Sequence, residues 1–125
     1  MATIIDHSVL YVEDDKVVRN ELGEFLFLKF REVRQADNGK SGLEVFSGYK
    51  ADLVITDIRM PVMNGLEMAR EIRKIAPSTR IIVTSAYQDT EFFLEAIDIG
   101  VSQFVLKPVN LEKLMLAVQK SFAPQ

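Results

Sequence analysis

Hydrophobic positions fall into short blocks that alternate with amphipathic stretches along the whole chain. The blocks "SVLYV" (8–12), "ADLVIT" (51–56), "RIIVTS" (80–85) and "QFVL" (103–106) are apolar or β-branched runs of strand length. Continuous runs of this kind suit strands buried on both faces. "REVRQA" (31–36) is short and polar, the profile of an edge strand. The stretches between have helical spacing. "KVVRNELGEFLFLKF" (16–30) has apolar residues at 18, 22, 25 and 26. "KSGLEVFSGY" (40–49) follows the turn residues "DNG". "GLEMAREIRKIA" (65–76) sets Leu66, Ala69 and Ile72 on one face and is stopped by Pro77. "DTEFFLEAIDIG" (89–100) is closed by Gly100, and "NLEKLMLAVQKSF" (110–122) has Asn110 as its N-cap.

Five strand–helix units in succession predict an α/β fold, a parallel sheet with helices on both faces and right-handed crossovers. The 125 residues suit one compact domain spanning 1–125. The short tail "APQ" fits a natural end and a boundary before another domain equally. No repeat, low-complexity tract or linker interrupts the pattern. Hydrophobic residues make up 48% of the chain, enough for a full core. The net charge of −3 argues against a general nucleic-acid binder. The absence of cysteine excludes disulfides, thiolate metal sites and cysteine nucleophiles. No apolar run is long enough to span a membrane, and "MATIIDHSVLYVEDD" lacks the features of a signal peptide. A cytoplasmic location is the expectation.

Open α/β sheets bind ligands beyond the carboxyl ends of their strands. Strand one runs into Glu13, Asp14 and Asp15, and strand three into Asp57. Strand four ends in Ser85, and strand five is followed by Lys107. Each residue alone has a plain structural role available. Asp14 or Asp15 could cap the helix from residue 16, and Asp57 could serve the turn before Met60-Pro61. Ser85 could be a strand-end hydroxyl and Lys107 a solvated amine. Their coincidence on one rim calls for a joint explanation. Clustered carboxylates need a cation, and hard oxygen ligands suit Mg²⁺. A carboxylate beside such a metal can attack phosphorus to form an aspartyl phosphate. A lysine then balances phosphoryl charge, and a nearby hydroxyl can donate to a phosphoryl oxygen. His7, the single histidine, lies in the N-terminal tail and receives no role, so a phosphodonor must come from outside. The methionines at 60, 63, 68 and 115 read as packing.

The motifs "VLYVEDD", "DLVITDIRMPVMNGLEM", "IIVTSAY" and "FVLKP", in this order, resemble the receiver domain of two-component response regulators. The resemblance covers essentially the whole chain. It implies a flavodoxin-like (βα)5 sandwich with a five-stranded parallel sheet of order 2-1-3-4-5. It implies that Asp57 is the phosphoacceptor, served by a histidine kinase or phosphotransfer domain. Glu13, Asp14 and Asp57, with the Arg59 carbonyl, would hold Mg²⁺. Ser85 and Phe104 match the switch hydroxyl and switch aromatic, and Lys107 the family's lysine, with a cis bond before Pro108. Arg59 and Tyr87 would flank the phosphoryl group and slow water attack on it.

The expected output is a phosphorylation-dependent signalling switch. Ser85 would move toward the phosphoryl group, Phe104 would swing inward, and the surface of helix four, strand five and helix five would change. That surface would bind an effector protein or output domain, with a second copy of the chain as a further candidate on phosphorylation. Three consecutive apolar residues at 92–94 cannot all be buried by one helix face, so Phe92 or Leu94 is expected at that surface. The rival readings are an aspartate-nucleophile phosphatase and a phosphorylation-independent interaction module of the same fold. The phosphatase would place a second acid where Arg59 stands, so turnover of an external substrate is not expected. The interaction module would have lost part of the acidic pair, acceptor and lysine, all of which are present. A nucleotide site would need a glycine-rich loop after strand one, where "EDDKVV" is acidic.

Overall fold

The computed structural model describes residues 3–86 and 89–124. Its strands are β1 (Ile5–Val12), β2 (Phe30–Ala36), β3 (Leu53–Asp57), β4 (Arg80–Ser85) and β5 (Gln103–Leu106). The helices are α1 (Lys16–Lys29), α2 (Gly39–Tyr49), α3 (Gly65–Ile75), α4 (Phe93–Ile99) and α5 (Leu111–Phe122). All strand pairs are parallel, in the order β2-β1-β3-β4-β5. This is the flavodoxin-like arrangement implied by the resemblance.

Alternation along the central strands explains why their sequences are apolar throughout. Leu10, Val12, Val54, Ile81 and Val83 face a core shared with Phe46, Leu66, Ile72 and Ala96. Val9, Tyr11, Leu53, Ile55, Ile82 and Val105 face the other core, with Leu22, Leu26, Leu114 and Val118. Helices α1 and α5 therefore cover one face, and α2, α3 and α4 the other. Each fully buried large apolar side chain contributes about 1.5–3 kcal/mol.

Local chemistry sets the helix starts. The Asp15 carboxylate accepts from Val17 and Val18 N–H, so Asp15 caps α1. Asn64 and Glu67 close a reciprocal capping box at α3. Asn110 accepts from Lys113 N–H and caps α5 as expected. Gly100 ends α4 at φ 86°, a conformation that favours glycine.

Several boundaries differ from the sequence reading: β3 spans Leu53–Asp57 rather than 51–56, so Asp57 is its last residue, and three others bear on the packing. Strand β1 begins at Ile5, so His7 lies within the sheet rather than in a tail, with its ring stacked 3.9 Å from Phe122. Phe30 caps α1, its N–H donating to the Leu26 carbonyl, and opens β2 rather than lying inside the helix. The segment Asp89–Phe92 is a 3-10 turn, and α4 starts only at Phe93. Among the described residues, no helix is long and apolar enough to cross a membrane.

Candidate functional site

Strand register determines what meets at the rim. Val12 pairs with Thr56 and Asp57 with Thr84, so the residues just past β1 lie level with the end of β3. Ser85 pairs with Leu106, and Lys107 N–H donates to the Ser85 carbonyl at 2.9 Å, carrying the β4–β5 pairing one residue further. Four strand ends thus converge on one patch.

Lys107 Nζ donates to Asp57 Oδ2 at 2.7 Å and to Glu13 Oε1 at 3.2 Å. Asp57 and Glu13 are 7% and 1% exposed, so one ammonium is shared by two buried carboxylates and leaves the trio net negative when both are ionised. The other oxygens are also engaged. Ile58 N–H donates to Asp57 Oδ1 at 2.8 Å, and Asp15 N–H to Glu13 Oε2 at 3.1 Å. Burial pushes the Glu13 carboxyl up, with the Asp57 charge adding to it, against the Asp15 N–H and Lys107. Burial opposes the charge on Lys107, but its hydrogen bond to Asp57 and the two nearby carboxylates outweigh this and raise it above the usual lysine value.

Glu13, Asp14 and Asp57 each present an oxygen within 4.8 Å of the others. Three hard oxygen donors in one pocket, two of them buried, fit a divalent cation such as Mg²⁺. Asp14 is the exposed member of the set.

The loop after β3 is shaped by Gly65. A Cβ there would lie 1.9 Å from the Asp57 carbonyl oxygen, so only glycine lets α3 start this close to Asp57. Gly65 N–H donates to the Ile58 carbonyl at 2.8 Å, which closes the loop. Ser85 is 1% exposed, and its Oγ has no hydrogen-bond partner among the described residues. Phe104 is half-buried and meets Phe93 edge-on at 5.0 Å. The Lys107-Pro108 bond is cis, as expected.

A family model described as the response regulator receiver domain matches residues 9–119. The chain belongs to this family. It is 36% identical to the chemotaxis protein CheY of Thermotoga maritima, over 90% of this chain and 94% of that protein. It is also 36% identical to a cyclic di-GMP phosphodiesterase of the same organism, over 89% of this chain. That match spans only 30% of the phosphodiesterase, so the name belongs to a protein more than three times as long as the shared segment. Among solved structures, the N-terminal domain of an uncharacterized protein from Wolinella succinogenes superposes with a TM-score of 0.85 at 34% identity. The superposition covers 95% of this chain and 94% of that one. Receiver domains are signalling modules of two-component systems that bind Mg²⁺ at an acidic pocket and work with histidine kinases and output domains.

Of the residues singled out in the sequence, Glu13, Asp14, Asp57 and Lys107 share one pocket in this receiver domain. Ser85 stands on the neighbouring strand end, and Phe104 lies further back on β5. The Arg59 side chain turns to the β4–α4 side, where Nε donates to Asp89 Oδ1 at 2.6 Å and Nη2 to Glu91 Oε1. Tyr87 lies outside the described residues. The sequence reading passed over Arg19 and Asp89. Arg19 Nη1 donates to the Glu13 carbonyl at 2.8 Å, and Asp89 is a buried carboxylate beside the rim. Asp89 reads in the sequence as an ordinary first-turn helix acid, and its Arg59 partner is distant along the chain.

Proposed function

We propose that the protein is a phosphorylation-dependent signalling switch with Asp57 as its phosphoacceptor. The observation that carries this reading is the ammonium of Lys107 bridging Asp57 and Glu13, beside a third carboxylate from Asp14. The three carboxylates have oxygens within 4.8 Å of one another, and the single ammonium of Lys107 leaves the cluster net negative, which favours a further cation. A histidine kinase, a histidine phosphotransfer domain or a small acyl phosphate is the donor.

Asp57 supplies the attacking oxygen. A new P–O bond forms to it as the donor's bond to phosphorus breaks, and the leaving group departs with the electron pair. The Ile58 N–H holds one oxygen of Asp57 and thereby orients the carboxylate. Lys107 stays beside the acceptor and balances charge on the phosphoryl oxygens. Glu13, Asp14 and Asp57, with the carbonyl of Arg59, are the residues that would hold Mg²⁺. When bound, Mg²⁺ supplies positive charge against the transferring phosphoryl group.

Phosphorylation adds about −1.5 to −2 charge and strong acceptor oxygens. The buried, unpartnered hydroxyl of Ser85 is a donor ready for one of them. Its movement opens space toward Phe104, whose edge-on contact with Phe93 links β5 to α4. The responding surface is α4–β5–α5. Leu94 is 82% exposed there, and Ile97 and Leu106 are also exposed. Phe92 instead packs against the core. The partner is an effector protein or output domain, with self-association on phosphorylation as a second use of the surface.

Intact-mass measurement after incubation with acetyl phosphate, with and without Mg²⁺, tests the reading. The expected result is a Mg²⁺-dependent gain of one phosphoryl group in the wild type and none in Asp57→Asn. An unlabelled wild type would support a phosphorylation-independent interaction module, and labelling that survives in Asp57→Asn would mean another acceptor.

A further inference from the structure

Asp89 is a buried carboxylate that the proposed mechanism does not use. It is 3% exposed and employs both oxygens. Oδ2 accepts from Ala86 N–H at 2.9 Å, and Oδ1 from Arg59 Nε at 2.6 Å. The Arg59 guanidinium is further held by Glu91 at 2.5 Å and lies 5.2 Å from the Phe92 ring centroid. Both of Asp89's donors belong to the rim. Arg59 follows the acceptor by two residues, and Ala86 directly follows Ser85.

We propose that Asp89 is a placeholder anion, a positioning residue that occupies the Ala86 amide and the Arg59 guanidinium until a phosphoryl group claims them. The proposal rests on Asp57 being the phosphoacceptor. Two effects act in the same direction. Hydrogen bonds to an ionised acceptor are about twice as strong as neutral ones, so donors committed to Asp89 must be withdrawn before they can serve the phosphoryl oxygens. The Asp89 charge also repels an arriving anion, most strongly where water is excluded. Asp89 therefore acts as a brake on phosphorylation. Its release moves the 3-10 turn that leads into α4, so the brake and the output surface share one element.

The test is the rate of Asp57 labelling by acetyl phosphate in Mg²⁺, followed by intact mass. The proteins are wild type, Asp57→Asn, Asp89→Asn, Arg59→Ala and the Arg59→Ala/Asp89→Asn double variant. Acetyl phosphate gives its phosphoryl group to Asp57 and leaves as acetate. Asp89→Asn keeps the shape and removes the charge. It is expected to label about 5-fold faster than wild type or more, within the usual range for coupled sites. In the Arg59→Ala background this gain is expected to shrink by about half or more, the non-additivity of groups in one network. Thermal melting of each variant is recorded in parallel. A clamp that is only structural would lower the melting temperature and leave labelling equal or slower. Equal or slower labelling of folded Asp89→Asn would overturn the proposal, as would a gain independent of Arg59. An unlabelled wild type is a separate pattern that removes the phosphoacceptor reading and this proposal with it.

Discussion

Val62 has a φ of 71° and is exposed, a conformation that β-branched residues rarely adopt. Met63 N–H donates to the Pro61 carbonyl at 2.8 Å, so Val62 is the centre of a γ-turn of the rarer, more strained form. The turn lies in the β3–α3 loop, five residues after Asp57. Glycine has no Cβ to clash in this conformation, and the exposed valine buries little that would be lost. Val62→Gly is expected to stabilise the protein by about 1 kcal/mol, the relief of strain less the entropy cost of glycine. Urea unfolding should show a higher midpoint at an unchanged slope, and a lower midpoint would mean that the turn carries no strain. The gathering of Asp57, the acidic pair and the lysine at one rim was legible in the sequence because each directly follows an apolar strand block. The Arg59–Asp89 pair was not, because its two residues stand 30 positions apart and neither has a distinctive motif.

At the scale of elements, α3 shows how the loop is held from the helix side. The Asn64 side chain accepts from Glu67 N–H at 2.8 Å, and Glu67 Oε1 accepts from Asn64 N–H at 3.0 Å. Asn64→Ala removes the side-chain half of this box and is expected to cost about 1 kcal/mol. Thermal melting checks the loss. Labelling of Asp57 should persist, because Gly65 and Ile58 still close the loop through their backbone hydrogen bond. Element type was legible throughout, since the strand runs and the helical periods do not overlap. Boundaries were less so. Phe30 continues the helical apolar spacing of α1, yet it pairs with Ile5 in the sheet. The residues 89–92 carry a helix-like pattern, but Asp89's engagement with Ala86 and Arg59 accompanies a tighter 3-10 turn. The three-residue apolar run at 92–94 resolved as geometry demands. Phe92 turns to the core and Leu94 to solvent.

At the scale of the whole molecule, the acidic rim sets fold stability against readiness to bind a cation. Glu13 is held above the usual carboxylate range by burial and by Asp57. In the window between its unfolded value, about 4.3, and its higher folded value, the folded state binds more protons than the unfolded state. Stability arising from Glu13 must therefore fall as pH rises through that window. Asp52 contributes the opposite slope, because the Ser8 N–H lowers its carboxyl, and that stability is lost as pH falls. Comparing wild type with Glu13→Gln isolates the Glu13 contribution. In EDTA, Glu13→Gln is expected to melt higher than wild type at pH 7, with the two converging toward about pH 4. Mg²⁺ should reverse the order. A ligand present at one hundred times its dissociation constant stabilises the folded state by about 2.7 kcal/mol, and the variant should capture less of that gain. Melting curves at pH 4 and 7, with EDTA and with Mg²⁺, decide the matter. If Mg²⁺ raises both proteins equally, Glu13 is not part of the cation site, and its burial serves only the ion pair with Lys107.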